Sequence, residues 1–137
     1  MIYDAKVYAI ELNDTWTATL SGNKFISTDI FGIYAYNSKN LTIANNKLSY
    51  FTTTIWLENT TDVNISGNLL FSVYPDEANN ILKAVNNSTG ISFTNNQIRG
   101  HVVYNLYAID GTSSATIGTD NVVSPFYTYD EEVSIMK

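Results

Sequence analysis

The hexapeptide "ISGNLL" at residues 65–70 decides the fold, because the chain repeats its pattern. In each copy the fourth residue is Asn and the first and sixth are apolar; the other copies are "LSGNKF" at 20–25, "IANNKL" at 43–48 and "FTNNQI" at 93–98. The recurrent asparagines are separated by 23, 22, 28 and 25 residues, and they are Asn23, Asn46, Asn68, Asn96 and Asn121. A fixed period of this length indicates a repeat architecture.

Each repeat contains three short segments with the pattern of β-strands. A segment that alternates apolar and polar residues precedes each asparagine, as in "LTI" at 41–43, and another apolar residue follows two positions after it. A third apolar position lies eleven or twelve residues before each asparagine, and its members are Leu12, Ala35, Leu57, Val85 and Ile109. We expect all of these positions to face inward.

Three short strands with one apolar face cannot bury that face within a single repeat. Stacking the repeats solves the problem, because each coil then pairs in parallel with the next at a spacing of about 4.8 Å. The sequence therefore predicts an all-β protein, a right-handed parallel β-helix of about five coils of 22–28 residues. The prediction is a single domain over residues 1–137, with repeats over 5–124, a C-terminal cap over 125–137 and a partial first coil at the N-terminus.

The recurrent asparagines are predicted to be a structural ladder. Asn tolerates the left-handed backbone conformation that tight corners need. Stacked Asn side chains can also hydrogen-bond from one coil to the next. We therefore interpret Asn23, Asn46, Asn68, Asn96 and Asn121 as corner residues and not as a binding site.

Composition excludes several classes of function. The 137 residues include 17 Asn, 16 Thr and 10 Tyr, which favours strands joined by tight turns. The net charge is −6 with only 7 basic residues, so we expect neither a nucleic-acid partner nor binding to a membrane. With no cysteine and one histidine, we expect no disulfide, no metal site and no cofactor.

The N-terminal segment "MIYDAKVYAI" does not resemble a signal peptide, because Asp4 lies within its apolar run. We expect that the chain is made without one or is a piece of a longer protein.

The repeat resembles the pectate-lyase-like superfamily of right-handed β-helices, which includes pectate lyases, polygalacturonases and phage tailspike depolymerases. The resemblance covers about residues 5–124. It implies this fold and contact with polysaccharides. Pectate lyases use an Arg base and clustered Asp that bind calcium, and polygalacturonases use several Asp with a Gly-His-Gly motif. Neither set is found here, since Gly100-His101-Val102 departs from that motif at its last residue. Proton transfer by His101 stays an open alternative.

One outward strand face carries the predicted binding residues. Tyr34, Tyr36 and Trp56 should cluster on adjacent coils, with carboxylates beside them. Exposed aromatic rings flanked by polar groups suit the flat faces and hydroxyl groups of sugars. The alternative interpretation is that these rings only cover the sheet or form an oligomer interface.

Glu58 and Asp110 are the predicted catalytic pair. They occupy equivalent positions two coils apart, which separates their backbones by about 9–10 Å. Inverting glycosidases hold their two carboxyl groups about 6.5–9.5 Å apart, so the geometry permits such a reaction without requiring it.

An insertion leads into the same face. The stretch at 71–82 is longer than its counterparts and contains the loop-forming sequence "VYPDEANN". Tyr74, Asp76 and Glu77 are predicted to form one wall of a ligand groove. The alternative is a tolerated surface insertion.

The resulting functional prediction is an extracellular, cell-surface or virion-associated β-helix that binds a polysaccharide or surface glycan. Two alternatives stay open. One is a structural or self-associating solenoid, either a homotrimer or an end-to-end assembly. The other is a fragment of a polysaccharide depolymerase, a glycosidase or a lyase.

Overall fold

The computed structural model describes residues 2–3, 8–26, 31–49, 52–72, 80–100 and 106–124. These residues form sixteen β-strands and no helix. The strands are β1 (Ile2–Tyr3), β2 (Tyr8–Asn13), β3 (Trp16–Ser21), β4 (Lys24–Ile26), β5 (Phe31–Tyr36), β6 (Lys39–Ala44), β7 (Lys47–Ser49), β8 (Thr53–Glu58), β9 (Thr61–Ser66), β10 (Leu69–Ser72), β11 (Asn80–Val85), β12 (Thr89–Thr94), β13 (Gln97–Gly100), β14 (Tyr107–Ile109), β15 (Ala115–Ile117) and β16 (Val122–Ser124).

The strands form three parallel sheets that the chain visits in turn. The aromatic sheet contains β2, β5, β8, β11 and β14, and the threonine sheet contains β3, β6, β9, β12 and β15. The short-strand sheet contains β1, β4, β7, β10, β13 and β16. The result is a parallel β-helix of five layers with three strands each. From the first layer to the fifth, the backbone makes about four turns around the axis. The predicted fold class is confirmed.

The N-terminal strand also agrees with the sequence-based expectation. Ile2 and Tyr3 pair in parallel with Phe25 and Ile26 of β4, so this segment begins an additional coil on the short-strand sheet. The predicted cap at 125–137 lies outside the described residues.

The core is a column of apolar side chains between the three sheets. The three middle layers contribute buried residues from every sheet, for example Ile55, Leu57, Val63, Ile65 and Leu70 in the third layer, and partly buried apolar residues of the first and fifth layers pack against them. Because each strand pairs with an equivalent strand above and below, like residues stack on like residues along the axis.

The inward position predicted for Val85 is wrong by one residue. Ala84 is the residue that pairs with Leu57 and is buried, whereas Val85 pairs with Glu58 in an outward column. The cause is an extra corner residue after β11: Asn86 and Asn87 both have positive φ, where the preceding layer has only Asn59. A one-residue shift in a strand exchanges its two faces, so Lys83 lies outward in the column of Trp56.

The five asparagines stack at the corner between the threonine and short-strand sheets. The backbone N–H of each of the first four asparagines donates to the Oδ1 of the Asn in the next layer at 2.9 Å. The side-chain amide donates to the same Oδ1, and from Asn46 onward it also donates to a backbone carbonyl of the preceding layer. This network satisfies polar groups that the corner would otherwise bury unpaired.

The left-handed corner residue is the one before each of the first four ladder asparagines, which corrects the sequence-based expectation. These residues have φ between 50° and 69°, and they are Gly22, Asn45, Gly67 and Asn95. Glycine and asparagine are the residues that adopt this conformation at least cost. The ladder positions are occupied by Asn because its side chain makes these hydrogen bonds. The positions before them are occupied by Gly or Asn because these residues adopt a positive φ.

A second ladder, of hydroxyl groups, lies at the corner between the aromatic and threonine sheets. The backbone N–H of each member donates to the hydroxyl oxygen of the next at 3.0–3.4 Å, and the members are Thr15, Ser38, Thr60, Ser88 and Ser113. Ser38, Thr60 and Ser88 are buried. Two corners of the β-helix are therefore held by side-chain hydrogen bonds along the axis, and these are buried in the middle layers.

Candidate functional site

Four aromatic rings pack together on the outer surface of the aromatic sheet, and we call them the aromatic cluster: Tyr8, Phe31, Tyr34 and Trp56. The Tyr34 and Trp56 ring centroids lie 4.9 Å apart at an interplanar angle of 60°. Tyr8 stacks on Tyr34 at 4.7 Å, and Phe31 meets Trp56 edge-on at 4.8 Å. Each such pair stabilises the fold by about 0.5–1.5 kcal/mol, in addition to the free energy gained by burying apolar surface.

The contribution of Tyr8 and Phe31 was missed by sequence reasoning. Simple alternation from Ile33 places Phe31 on the inner face. In the structure Gly32 and Ile33 are both buried, so the alternation is broken at the start of β5 and Phe31 faces outward. The parallel pairing of Tyr8 with Phe31 repeats the arrangement in the first layer.

Tyr36 stands apart from the cluster with which it was predicted to associate. Its side chain is 41% exposed, and no ring contact joins it to another aromatic side chain of the described residues. It pairs with Asn13 on one side and with Glu58 on the other. Tyr36 therefore presents the most accessible ring of this sheet.

The indole ring of Trp56 is already covered. Lys83 Nζ lies 4.5 Å from its centroid, in position for a cation–π interaction, and Phe31 and Tyr34 pack against it. Its Nε1 is buried and has no hydrogen-bond partner among the described residues. A sugar could stack on this ring only after Lys83 moved.

Glu58 is held by two neighbours from other layers. The Tyr34 hydroxyl donates to Glu58 Oε2 at 2.8 Å, and Asn86 Nδ2 donates to Oε1 at 2.7 Å. Burial, with help from the Glu58 carboxylate, raises the pKa of Tyr34 well above its usual value. Tyr34 therefore stays a hydrogen-bond donor at every physiological pH.

Asp110 lies in the same outward column as Glu58, two layers further along. Its Oδ2 accepts the backbone N–H of Asn86 at 2.9 Å, and its Oδ1 accepts the backbone N–H and the hydroxyl of Thr112 at 3.0 and 2.9 Å. Hydrogen bonds from Asn86, then Ser113, then Thr112, in decreasing order of their effect, lower the pKa of Asp110 to about 2.

Asn86 thus bridges the two predicted catalytic carboxylates, through its side chain to Glu58 and its backbone to Asp110. With its low pKa, Asp110 is ionised at neutral pH and cannot donate a proton. The catalytic dyad stays a prediction.

The substitution Asp110→Asn should change how stability depends on pH. The pKa of the folded state is about 2 and the ordinary value is 3.8, so the ionised carboxylate stabilises the fold above about pH 4. That contribution is lost as the pH falls through about 2. We therefore expect the melting-temperature difference between wild type and Asp110→Asn to shrink steadily over this range. A constant difference across the range would contradict this assignment; Glu11→Gln, at an exposed position of the same sheet, serves as the control.

The remaining predicted residues lie elsewhere. Tyr74, Asp76 and Glu77 belong to residues 73–79, and His101 belongs to 101–105, both outside the described residues. Within the described ranges, no group of three His, Cys, Asp or Glu side chains could hold a metal ion. No helix capable of crossing a membrane is found in the part of the chain that the structure describes.

Comparison with known proteins agrees with this architecture. The family model of the right-handed beta helix region matches residues 2–122, which is nearly the whole chain. No curated protein and no solved structure gives a significant match. The matched region includes fifteen of the sixteen strands in full and the beginning of β16. The chain therefore belongs to the right-handed β-helix family.

Proposed function

We propose that this chain is an extracellular, cell-surface or virion-associated β-helix module that binds a polysaccharide or surface glycan through its aromatic sheet. The observation that carries the proposal is the exposed ring of Tyr36 beside the hydrogen-bonded carboxylate of Glu58 in the next layer. An accessible aromatic ring next to fixed polar groups is the arrangement that sugar recognition requires.

The polar groups of this surface are ordered before any ligand arrives. Glu58 accepts one hydrogen bond on each oxygen, and a carboxylate oxygen has two lone pairs, so one acceptor position remains on each. The Tyr34 oxygen can also accept a hydrogen bond while it donates to Glu58. Groups already held by the fold lose little entropy when they bind a hydroxyl.

The negative charge of the aromatic sheet limits the type of glycan that it could bind. Glu11, Glu58 and Asp110 all lie on outward positions of the aromatic sheet, and the whole chain has a net charge of −6. Lys83 is engaged with Trp56. A uronate-rich polysaccharide would be repelled, so the proposed ligand is a neutral or amino-sugar polymer.

The first test is a glycan array probed with wild type, Tyr36→Ala and the control Thr116→Ala on the threonine sheet. We expect Tyr36→Ala to weaken binding at least tenfold, about 1.4 kcal/mol, because the main stacking surface is lost. Thr116→Ala should bind like wild type. An array without hits, or full binding by Tyr36→Ala, would refute binding at this surface.

A second candidate function is self-association, as a homotrimer or an end-to-end assembly. The specific observation is the last layer, in which Val122 is 56% exposed and the strands β14, β15 and β16 have a neighbouring described strand on one side only. Unpaired strand edges are templates for further pairing. Absence of glycan binding together with an oligomeric mass in light scattering would favour this candidate.

The third candidate, a depolymerase fragment, depends on Glu58 and Asp110. Asp110 is committed to the Asn86–Thr112 corner, where its oxygens accept three hydrogen bonds. Asp110 therefore has a structural role at this corner. For that reason we favour glycan binding over catalysis as the function of this surface.

A further inference from the structure

Trp16 is the most exposed of the large hydrophobic side chains that the structure describes, at 75%. It begins β3 at the corner between the aromatic and threonine sheets, away from the aromatic cluster. Its column continues with Lys39 and Thr61 in the next two layers. Burial of a side chain in the core cannot explain a tryptophan at this position.

A groove of about 190 Å³ runs beside Trp16, along the hydroxyl-ladder corner. It is lined by Trp16, Asn37, Ser38, Lys39, Asn59 and Thr61, which belong to three successive layers. Two layer steps of about 4.8 Å give it a length near 10 Å. Its lining contains one large aromatic ring, and every other residue is polar or charged.

The polar lining is held by hydrogen bonds along the axis. Asn59 Nδ2 donates to Asn37 Oδ1 at 3.0 Å, and Asn37 Nδ2 donates to the Asp14 carboxylate. The side-chain amides of Asn59 and Asn37 therefore have a fixed orientation. The second Nδ2 hydrogen of each amide and the Oδ1 of Asn59 are available for other partners. Ser38 lies buried beneath it, with its hydroxyl already bonded to backbone carbonyls.

Three charged side chains lie at the groove, and each of them has a partner within the protein. Lys39 Nζ lies 3.8 Å from Asp62 Oδ2, and Asp14 accepts the hydrogen bond from Asn37. A ligand meets an uncovered indole face beside amide and hydroxyl groups, together with an ammonium group of Lys39 that is already paired with Asp62. A ligand with an apolar face and a ring of hydroxyls matches this surface, whereas an ion does not.

We propose that this corner groove, with Trp16 as its platform, is a second binding site for neutral sugar residues. The inference rests on the proposed glycan-binding function and extends it. Tyr36 ends β5 and is followed directly by Asn37, so the groove continues from the surface of Tyr36. A single polysaccharide chain could therefore contact the aromatic sheet and then turn along the corner.

A protein partner fits the groove less well. Stable protein interfaces bury about 1,200–2,000 Å² and have an apolar centre. Here one indole ring is surrounded by amides and hydroxyls in a groove of about 190 Å³.

The test measures binding of a neutral hexasaccharide, maltohexaose or chitohexaose, and of an oligogalacturonate of equal length. We expect Trp16→Ala to weaken binding of a neutral sugar at least tenfold and Trp16→Phe to weaken it less. The melting temperature of Trp16→Ala should equal that of wild type, because the ring lies outside the core. The control Thr116→Ala should bind normally.

The outcomes separate this inference from the function on which it rests. Loss of binding in Trp16→Ala supports the groove, whether or not Tyr36→Ala also loses binding. Normal binding by Trp16→Ala overturns the groove, and loss in Tyr36→Ala then leaves the aromatic sheet as the only site. If wild type binds neither neutral hexasaccharide nor any glycan on the array, glycan binding by the aromatic sheet and by the corner groove are both refuted. Preference for the oligogalacturonate would overturn the assignment to neutral sugars.

Discussion

Asn68→Ala is expected to lower the free energy of unfolding by about 2–6 kcal/mol. Asn68 is 1% exposed at the centre of the asparagine ladder. Its Oδ1 accepts the backbone N–H of Asn46 at 2.9 Å, and its Nδ2 donates to the Ile43 carbonyl at 2.9 Å. Truncation leaves both backbone groups buried without a partner, at a cost of about 1–3 kcal/mol each.

The cost is large because the groups left behind belong to the backbone. They lie between two stacked layers, and water reaches them only if the corner opens. The total stability of a domain of this size is about 5–15 kcal/mol, so one ladder position could remove a large part of it.

Urea unfolding followed by circular dichroism measures the change, with Asn64→Ala as the matched control. Asn64 lies in the same layer, but its side chain is exposed on the threonine sheet, so its loss should cost no more than about 0.5 kcal/mol. Asn68→Asp retains an acceptor while it removes the amide donor and introduces a buried charge, and it should also destabilise the fold. A loss below about 1 kcal/mol for Asn68→Ala would show that the ladder contributes little.

Phe93→Ala is expected to destabilise the protein by about 3–5 kcal/mol, for a different reason. Phe93 is fully buried, and its ring meets that of Tyr107 at 5.5 Å with an interplanar angle of 72°. The substitution removes a large apolar side chain and leaves a cavity between the fourth and fifth layers. It also removes an aromatic pair.

The destabilisation caused by Phe93→Ala should differ from layer to layer along the axis. In a stacked repeat, each layer is stabilised mainly by its neighbours, and the fifth layer has one such neighbour among the described strands. Amide hydrogen exchange in Phe93→Ala should therefore accelerate most in β14 and β15, while β5 and β8 retain their protection. Uniform acceleration in all layers would contradict this nearest-neighbour description. Phe93→Leu, which refills most of the volume, should recover much of the stability.

The asparagine spacing predicted the stacking of layers, and the same spacing contained a second signal. The hydroxyl-ladder residues are separated by 23, 22, 28 and 25 residues, the same intervals as the asparagines that follow them by eight. A search for any polar residue at that period would have found them. They were missed because Thr and Ser are common in strands, whereas repeated Asn is conspicuous.

The site was less predictable than the fold. Alternation placed Tyr34 and Trp56 together, but it could not show that Lys83 covers Trp56. That contact depends on the extra residue among Asn86, Asn87 and Ser88, which moves Lys83 to the outer face. Alternation with the inward residues Ala18 and Leu20 would place Trp16 on the inner face, but Thr17 has a φ of 65° and breaks the alternation, so Trp16 lies outward.

The sequence by itself determined the parallel β-helix, because periodic apolar residues and corner asparagines are local properties that repeat in every layer. Only the tertiary structure decided which rings are covered, which carboxylates are tied to the backbone and where a groove opens beside Trp16. The physical reason is register. A solenoid places residues about 22–28 positions apart in contact, so one added corner residue changes which side chains meet without altering the repeat.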